Sequence, residues 1–176
     1  MLKKIKELFI PQQLLKGNCG IEREMLRVDK NGYLSFTDHP EIFGDKVLNP
    51  YITTDFSESQ VEVITPALDK IEETYSFLKA LYDIVALEIG DEILWPQSMP
   101  CFIPEDDEIP VAKYSEEGRE AEEYRNKLLK KYGGKKQLIS GIHYNYSFNE
   151  EIIRKLYESS DKELTYKEYK NSIYLK

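Results

Sequence analysis

Residues 142–148 alternate without a break. Ile142, Tyr144, Tyr146 and Phe148 fall on one side, and His143, Asn145 and Ser147 on the other. That period-two pattern predicts a β-strand with one packed face and one presenting an imidazole, an amide and a hydroxyl. From Ser59 to Thr65 the same alternation sets Val61, Val63 and Thr65 against Gln60, Glu62 and Ile64. A third run, Gly20 to Val28, lies between the turn signals Gly17-Asn18 and Asp29-Lys30-Asn31-Gly32, and reads as a strand.

Elsewhere the apolar period lengthens to that of a helix. Leu68, Ile71, Tyr75, Leu78, Tyr82, Val85 and Ile89 recur at three- and four-residue steps, predicting a long amphipathic helix that Gly90 closes. A second helix is expected from about Ser115 to Tyr132, with Ala121, Tyr124 and Leu128 inward and Gly133 as its stop. A third begins at Asn149 as N-cap, with Ile152, Ile153 and Leu156 inward. Leu2, Ile5, Leu8 and Phe9 fit a short N-terminal helix broken at Pro11, and Thr165-Tyr166-Lys167-Glu168 is a capping box opening a last one. The stretch from Glu92 to Pro110, with four prolines, is expected to be irregular. Strands and helices that do not alternate regularly indicate an α+β domain.

The chain has 176 residues, 41% hydrophobic and 32% charged, enough for one domain with its own core. No apolar run is long enough to span a bilayer, and the N-terminus lacks a signal-peptide core. Two cysteines, Cys19 and Cys101, give no disulfide framework and suit a reducing cytoplasm, where both are expected as small buried apolar residues. The net charge of −8, with acids scattered among lysines, argues against a nucleic-acid footprint and leaves an anionic substrate dependent on local cations.

One set of residues carries chemistry. Glu22 and Glu24, two apart on a strand, share a face about 6.6 Å apart along the backbone. Adjacent carboxylates repel unless a cation lies between them. Asp55, in the turn that also holds Glu58, and Glu62 on the next strand supply two more acids, and His143 an imidazole. Oxygen donors with one imidazole suit Mg²⁺, with Mn²⁺ as an alternative. A structural ion-pair cluster with Arg23, Arg27 or lysines is the competing reading.

These residues lie within five ordered motifs: Gly20-Ile21-Glu22-Arg23-Glu24, Tyr51 to Glu58, Glu62-Val63-Ile64-Thr65-Pro66, Leu94 to Pro100, and Ile139 to Asn145. In order and spacing they resemble the bacterial glutamate–cysteine ligases, including the ligase half of bifunctional glutathione synthases, from about Leu14 to Leu175. The run Phe56-Ser57-Glu58-Ser59-Gln60 looks closer to the fused type.

The resemblance implies a glutamine-synthetase-like antiparallel sheet with helices packed on one face. It implies ATP-dependent joining of the glutamate γ-carboxylate, through an acyl phosphate, to the amino group of cysteine. The expected small-molecule partners are glutamate, cysteine and ATP. It makes Glu22, Glu24, Asp55, Glu62 and His143 metal ligands and sets Asn145 near the ATP phosphates. It also carries over a cysteine pocket of Phe56, Tyr124, Leu128 and Gln137, for which simple core packing is the alternative.

Family members are longer, and the last helix opens with a cap but shows no stop before Lys176. Residues 1–176 are therefore expected to be the N-terminal portion of a ligase catalytic domain, with little activity alone. Later basic residues and glutamates of the family have no counterpart here, and Gly133-Gly134-Lys135-Lys136 lacks the strand-loop-helix context of a P-loop. Two other readings stay open: a metal-dependent phosphohydrolase, and a non-catalytic fragment that self-associates through exposed apolar surface.

Overall fold

The computed structural model describes residues 2–9 and 11–174. In chain order it forms α1 (Leu2–Leu8), α2 (Pro11–Leu14), β1 (Gly17–Val28), β2 (Ile52–Thr54), β3 (Gln60–Ile64), α3 (Ile71–Glu88), β4 (Ile93–Trp95), α4 (Arg119–Tyr132), β5 (Ile142–Phe148), α5 (Glu150–Glu158) and α6 (Tyr166–Tyr174). The fold is α+β, as the mixed periodicities require.

The five strands make one antiparallel sheet with the long β1 at its centre. One edge of β1 carries β3, with Met25 opposite Val61 and Glu24 opposite Glu62, and β2 pairs beyond it. The other edge carries β5 along Gly17–Arg23 and β4 along Leu26–Val28. β4 lies in the proline-rich stretch expected to be irregular. Its three residues, Ile93-Leu94-Trp95, precede the first of those prolines and are free to complete the ladder.

Alternation sends Met25, Val61 and Val63 to one face, where α3 covers them. They pack with Ile52, Leu78, Leu81, Val85, Ile89 and Leu94, and both valines are fully buried. Each such side chain contributes about 1.5–3 kcal/mol. The inward stripe of α3 is rotated from expectation: Thr74 and Leu81 are buried, while Tyr75 is 63% exposed. The buried Thr74 hydroxyl lies 3.1 Å from the Lys70 carbonyl and 3.3 Å from that of Cys19. Gly90, at φ 63°, takes the left-handed conformation that ends this helix.

A second cluster joins Leu26, Leu34, Phe56, Ile109 and Leu138 to Leu128 and Leu129 of α4. In a third, Phe9 packs with Ile152 and Leu156 of α5 and with Tyr169 and Ile173 of α6. The Asn149 side chain caps α5 by accepting from the Glu151 amide at 2.8 Å, and Glu168 accepts from the Thr165 amide at 2.8 Å, closing the expected box. Pro11 opens a short helix after the first one ends.

The expectation that Ile142 and Tyr144 pack is wrong, while Tyr146 sets its ring edge-on against Phe148. Ile142 is 67% and Tyr144 58% exposed, because α3 lies over β1 and β3 while β5 stands at the sheet's edge. Cys19 is buried and Cys101 half-buried; both are free thiols. No helix of the described residues is long and apolar enough to cross a membrane.

Candidate active site

Side chains directly opposite each other in an antiparallel ladder share a face. On β1, Glu22 stands opposite His143 of β5 and Glu24 opposite Glu62 of β3, while Gly20 faces Asn145. Glu62 also opposes Thr53 of β2, and Asp55 follows two residues later in the tight turn to β3, where its amide donates to the Gln60 carbonyl at 3.0 Å. Glu22, Glu24, Asp55, Glu62, His143 and Asn145 are thus gathered on the face away from α3.

Their contacts are local. The Asn145 amide nitrogen donates to Glu22 Oε1 at 2.8 Å, and His143 Nδ1 lies 3.4 Å from Glu22 Oε2. Glu24 Oε2 accepts from the Gly141 amide at 2.8 Å. A Cβ at Gly141 would meet His143 Nε2 at 3.4 Å and Glu24 Oε2 at 3.7 Å, ordinary contact distances that place this backbone close against both side chains.

The acids outnumber the cations that face them. Burial pushes the Glu62 carboxyl up to about 7, and the charges of Asp55, Glu24 and Glu22 add to it, with His143 opposing. Burial likewise raises Glu24 against the Gly141 amide, and Asp55 against the charge of Arg125. Among the described residues no lysine or arginine makes a salt bridge to any of the four acids. Arg27 is engaged with Glu92 at 2.6 Å, on the side of the sheet facing away from the site, and Arg23 lies over the Tyr82 ring. The competing reading of an ion-pair cluster with those arginines therefore fails. Arg125 instead donates to the Asp55 carbonyl oxygen.

A carboxylate set with one imidazole and no paired cation suits a hard divalent ion. The side chains as placed do not form a closed cage: among the described residues no three His, Cys, Asp or Glu groups converge as ligands. Glu58, from the same turn, has a structural role. It is buried, paired with Lys46 and accepts from the His39 amide at 2.8 Å.

Of the expected cysteine pocket, Phe56 and Leu128 meet in the cluster around Leu26, beside the carboxylates. Tyr124 lies exposed on α4, outside that cluster, and Gln137 is half-buried in the turn before β5. Asn18, opposite Ser147 at the far end of the site face, was not singled out from the sequence. The signal was there: Asn18 lies two residues before Gly20 and four before Glu22 on the same alternation.

A family model for glutamate-cysteine ligase matches residues 2–176. The chain is 49% identical over 178 residues to the glutathione biosynthesis bifunctional protein GshAB of Clostridium perfringens (strain 13 / Type A), covering 100% of this chain and 23% of that protein. The crystal structure of a bifunctional glutathione synthetase from Pasteurella multocida matches with a TM-score of 0.82 at 36% identity, over 93% of this chain and 21% of that one. The glutamate–cysteine ligase of Francisella tularensis, solved in complex with AMP, matches with a TM-score of 0.79 at 36% identity, over 86% and 30%. The chain thus spans less than a third of the length of each of these relatives. By sequence and by fold, the chain belongs to the glutamate–cysteine ligase family.

Proposed function

We propose that residues 1–176 form the N-terminal portion of the catalytic domain of a cytoplasmic ligase acting in glutathione biosynthesis. The reaction joins the γ-carboxylate of L-glutamate, activated by ATP as an acyl phosphate, to the amino group of L-cysteine. The observation that carries this reading is the shared face of Glu22, Glu24, Asp55, Glu62 and His143, acidic and, among the described residues, without a salt-bridging lysine or arginine. Phosphoryl transfer needs positioning and charge neutralisation more than covalent chemistry from the protein. These five side chains would hold Mg²⁺, or Mn²⁺ in its place, and the ion would supply neutralisation of phosphate and substrate carboxylate.

The chain's own residues set up that surface. The Gly141 amide fixes Glu24, Asn145 fixes Glu22 from the side expected to lie near the phosphates, and burial excludes water around Glu62. Phe56 and Leu128, with Tyr124 and Gln137 nearby in sequence, are the proposed wall for the cysteine side chain. That the Francisella relative was solved in complex with AMP supports a nucleotide as a ligand.

Hydroxylamine trapping tests the chemistry: a ligase gives glutamyl hydroxamate only when ATP, Mg²⁺ and glutamate are all present. A phosphohydrolase would give none. We further propose that the 176 residues alone turn over slowly, since the site face of the described residues carries acids but no phosphate-binding base. A second reading, a non-catalytic polypeptide that self-associates, is favoured by the exposure of Ile142 and Tyr144. Sedimentation at increasing concentration detects it, and glutamate- and Mg²⁺-dependent ATP hydrolysis counts against it.

A further inference from the structure

Between Glu22 and Glu24, alternation sends Arg23 to the opposite face of β1, the side on which Met25 packs beneath α3. There Arg23 lines a cavity of about 170 Å³ together with Tyr75, Leu78, Lys79 and Tyr82 of α3. Tyr75, Leu78 and Tyr82 follow at i, i+3 and i+7, so they form one stripe of that helix. Tyr75 is 63% exposed, which leaves the concavity open to solvent.

Arg23 is the unusual member of this set. Its cross-strand neighbours, Val63 on β3 and Ile142 on β5, are apolar, so no acid stands opposite it. Each of the other four arginines meets a carboxylate or a carbonyl: Arg27 at Glu92, Arg119 at Glu123, Arg125 at the Asp55 carbonyl and Arg154 at Glu150. Half-buried Arg23 has neither among the described residues. Its guanidinium lies 5.4 Å from the centre of the Tyr82 ring, a cation–π contact that uses none of its five N–H donors. Lys79 differs, since it donates to Asp83 at 2.6 Å one turn along the helix.

These features select a ligand. A guanidinium with free donors takes a carboxylate through two parallel hydrogen bonds. The two tyrosine rings and Leu78 take an apolar body. The volume is below the range of drug-sized sites and close to that of a cavity that admits benzene. The net charge of −8 repels anions from the molecule at large, so retention here depends on Arg23 and Lys79. An uncharged ring would leave the guanidinium unpaired, and a bare anion would leave the rings uncovered.

We infer that the concavity between β1 and α3 is a binding site for a small carboxylate carrying one aromatic or branched apolar body. The carboxylate pairs with Arg23, and the body lies against Tyr75, Leu78 and Tyr82. The site is on the sheet face opposite Glu22 and Glu24 and stands independently of the ligase reading.

The test uses the 176-residue chain labelled with 3-fluorotyrosine, its Tyr75 and Tyr82 fluorine signals assigned from Tyr75→Phe and Tyr82→Phe. Titration with 3-phenylpropionate is expected to shift both signals and to saturate. The uncharged 3-phenylpropionamide and the ring-free acetate are each expected to bind at least about ten-fold more weakly. Arg23→Gln should weaken 3-phenylpropionate about ten-fold and leave the amide unchanged, a difference that general loss of structure would not give. Tyr75→Ala, at an exposed position, should weaken both aromatic probes and carries the test should Arg23→Gln fail to fold. Equal affinity for the carboxylate and the amide, or shifts that do not saturate, overturns the inference. An Arg23→Gln protein that binds like the wild type overturns it as well. Signals that move with protein concentration alone, and not with the probe, give the site to a second copy and also overturn it. None of these results bears on the ligase reading, which hydroxylamine trapping decides.

Discussion

Glu24 and Glu62 stand directly opposite each other across the β1–β3 ladder, with no lysine or arginine salt-bridged to either among the described residues. Like charges in that position destabilise a sheet. The strain is local and titratable. Glu62 ionises in the folded chain at about 7, above its ordinary 4.5. A raised carboxyl contributes stability that is fully present below pH 4.5 and is lost as pH rises through 7. The gap corresponds to about 3 kcal/mol. Glu62→Gln, neutral throughout, is therefore expected to be up to about 3 kcal/mol more stable than the wild type near pH 8, shrinking to about 1 kcal/mol or less by pH 5. Urea unfolding across that range measures the difference, and a constant offset would refute it.

Divalent cations should relieve the same repulsion. Mg²⁺ or Mn²⁺ at about a hundred times its dissociation constant is expected to stabilise the folded chain by ~2.7 kcal/mol. In Glu22→Gln/Glu62→Gln the shift should largely vanish. Thermal melting with and without the ion, with matched ionic strength from NaCl, reads the result. An equal shift in both proteins would assign the effect to nonspecific screening.

Away from the site, His39 is 7% exposed and neither ring nitrogen has a hydrogen-bond partner. Burial, with Lys46 and Arg27 nearby, lowers it from 6.5 to about 4, against the pull of Glu58. A depressed histidine contributes stability that is complete above pH 6.5 and is lost as pH falls through 4. The loss approaches about 3 kcal/mol. His39→Leu should match the wild type within about 1 kcal/mol at neutral pH and show a shallower acid-side decline. Parallel pH profiles would remove His39 from the account.

Arg27 is 1% exposed, and its guanidinium contacts Glu92, Thr37 and the carbonyls of Thr37, Asp38 and Glu58. Arg27→Met leaves Glu92 without its cation and those carbonyls without their donors. A cost of about 3–5 kcal/mol is expected, measured by chemical denaturation. A loss below about 1 kcal/mol would place the pair with weak surface bridges.

Much of the site was legible because strand alternation is local. Glu22 and Glu24 share a face by spacing alone, as do His143, Asn145 and Ser147. The pairing of Glu24 with Glu62 and of Glu22 with His143 was not legible, because register is set by contacts between residues distant in sequence. The same limit explains Ile142 and Tyr144: alternation shows that they share a side, not whether a helix covers it. Tyr75, expected inward, is exposed and the neighbouring Thr74 is buried, a rotation of the helix about its axis that only its packing on the sheet fixes.

The order of apolar and polar residues therefore determined the element types, the faces of each strand and the family motifs, all properties of a few neighbouring residues. Tertiary structure decided which strands lie side by side, which of two possible faces is covered, and how far the Glu62 carboxyl is displaced. Those depend on distances across the sheet and on exclusion of water, which exist only once the chain has closed on itself.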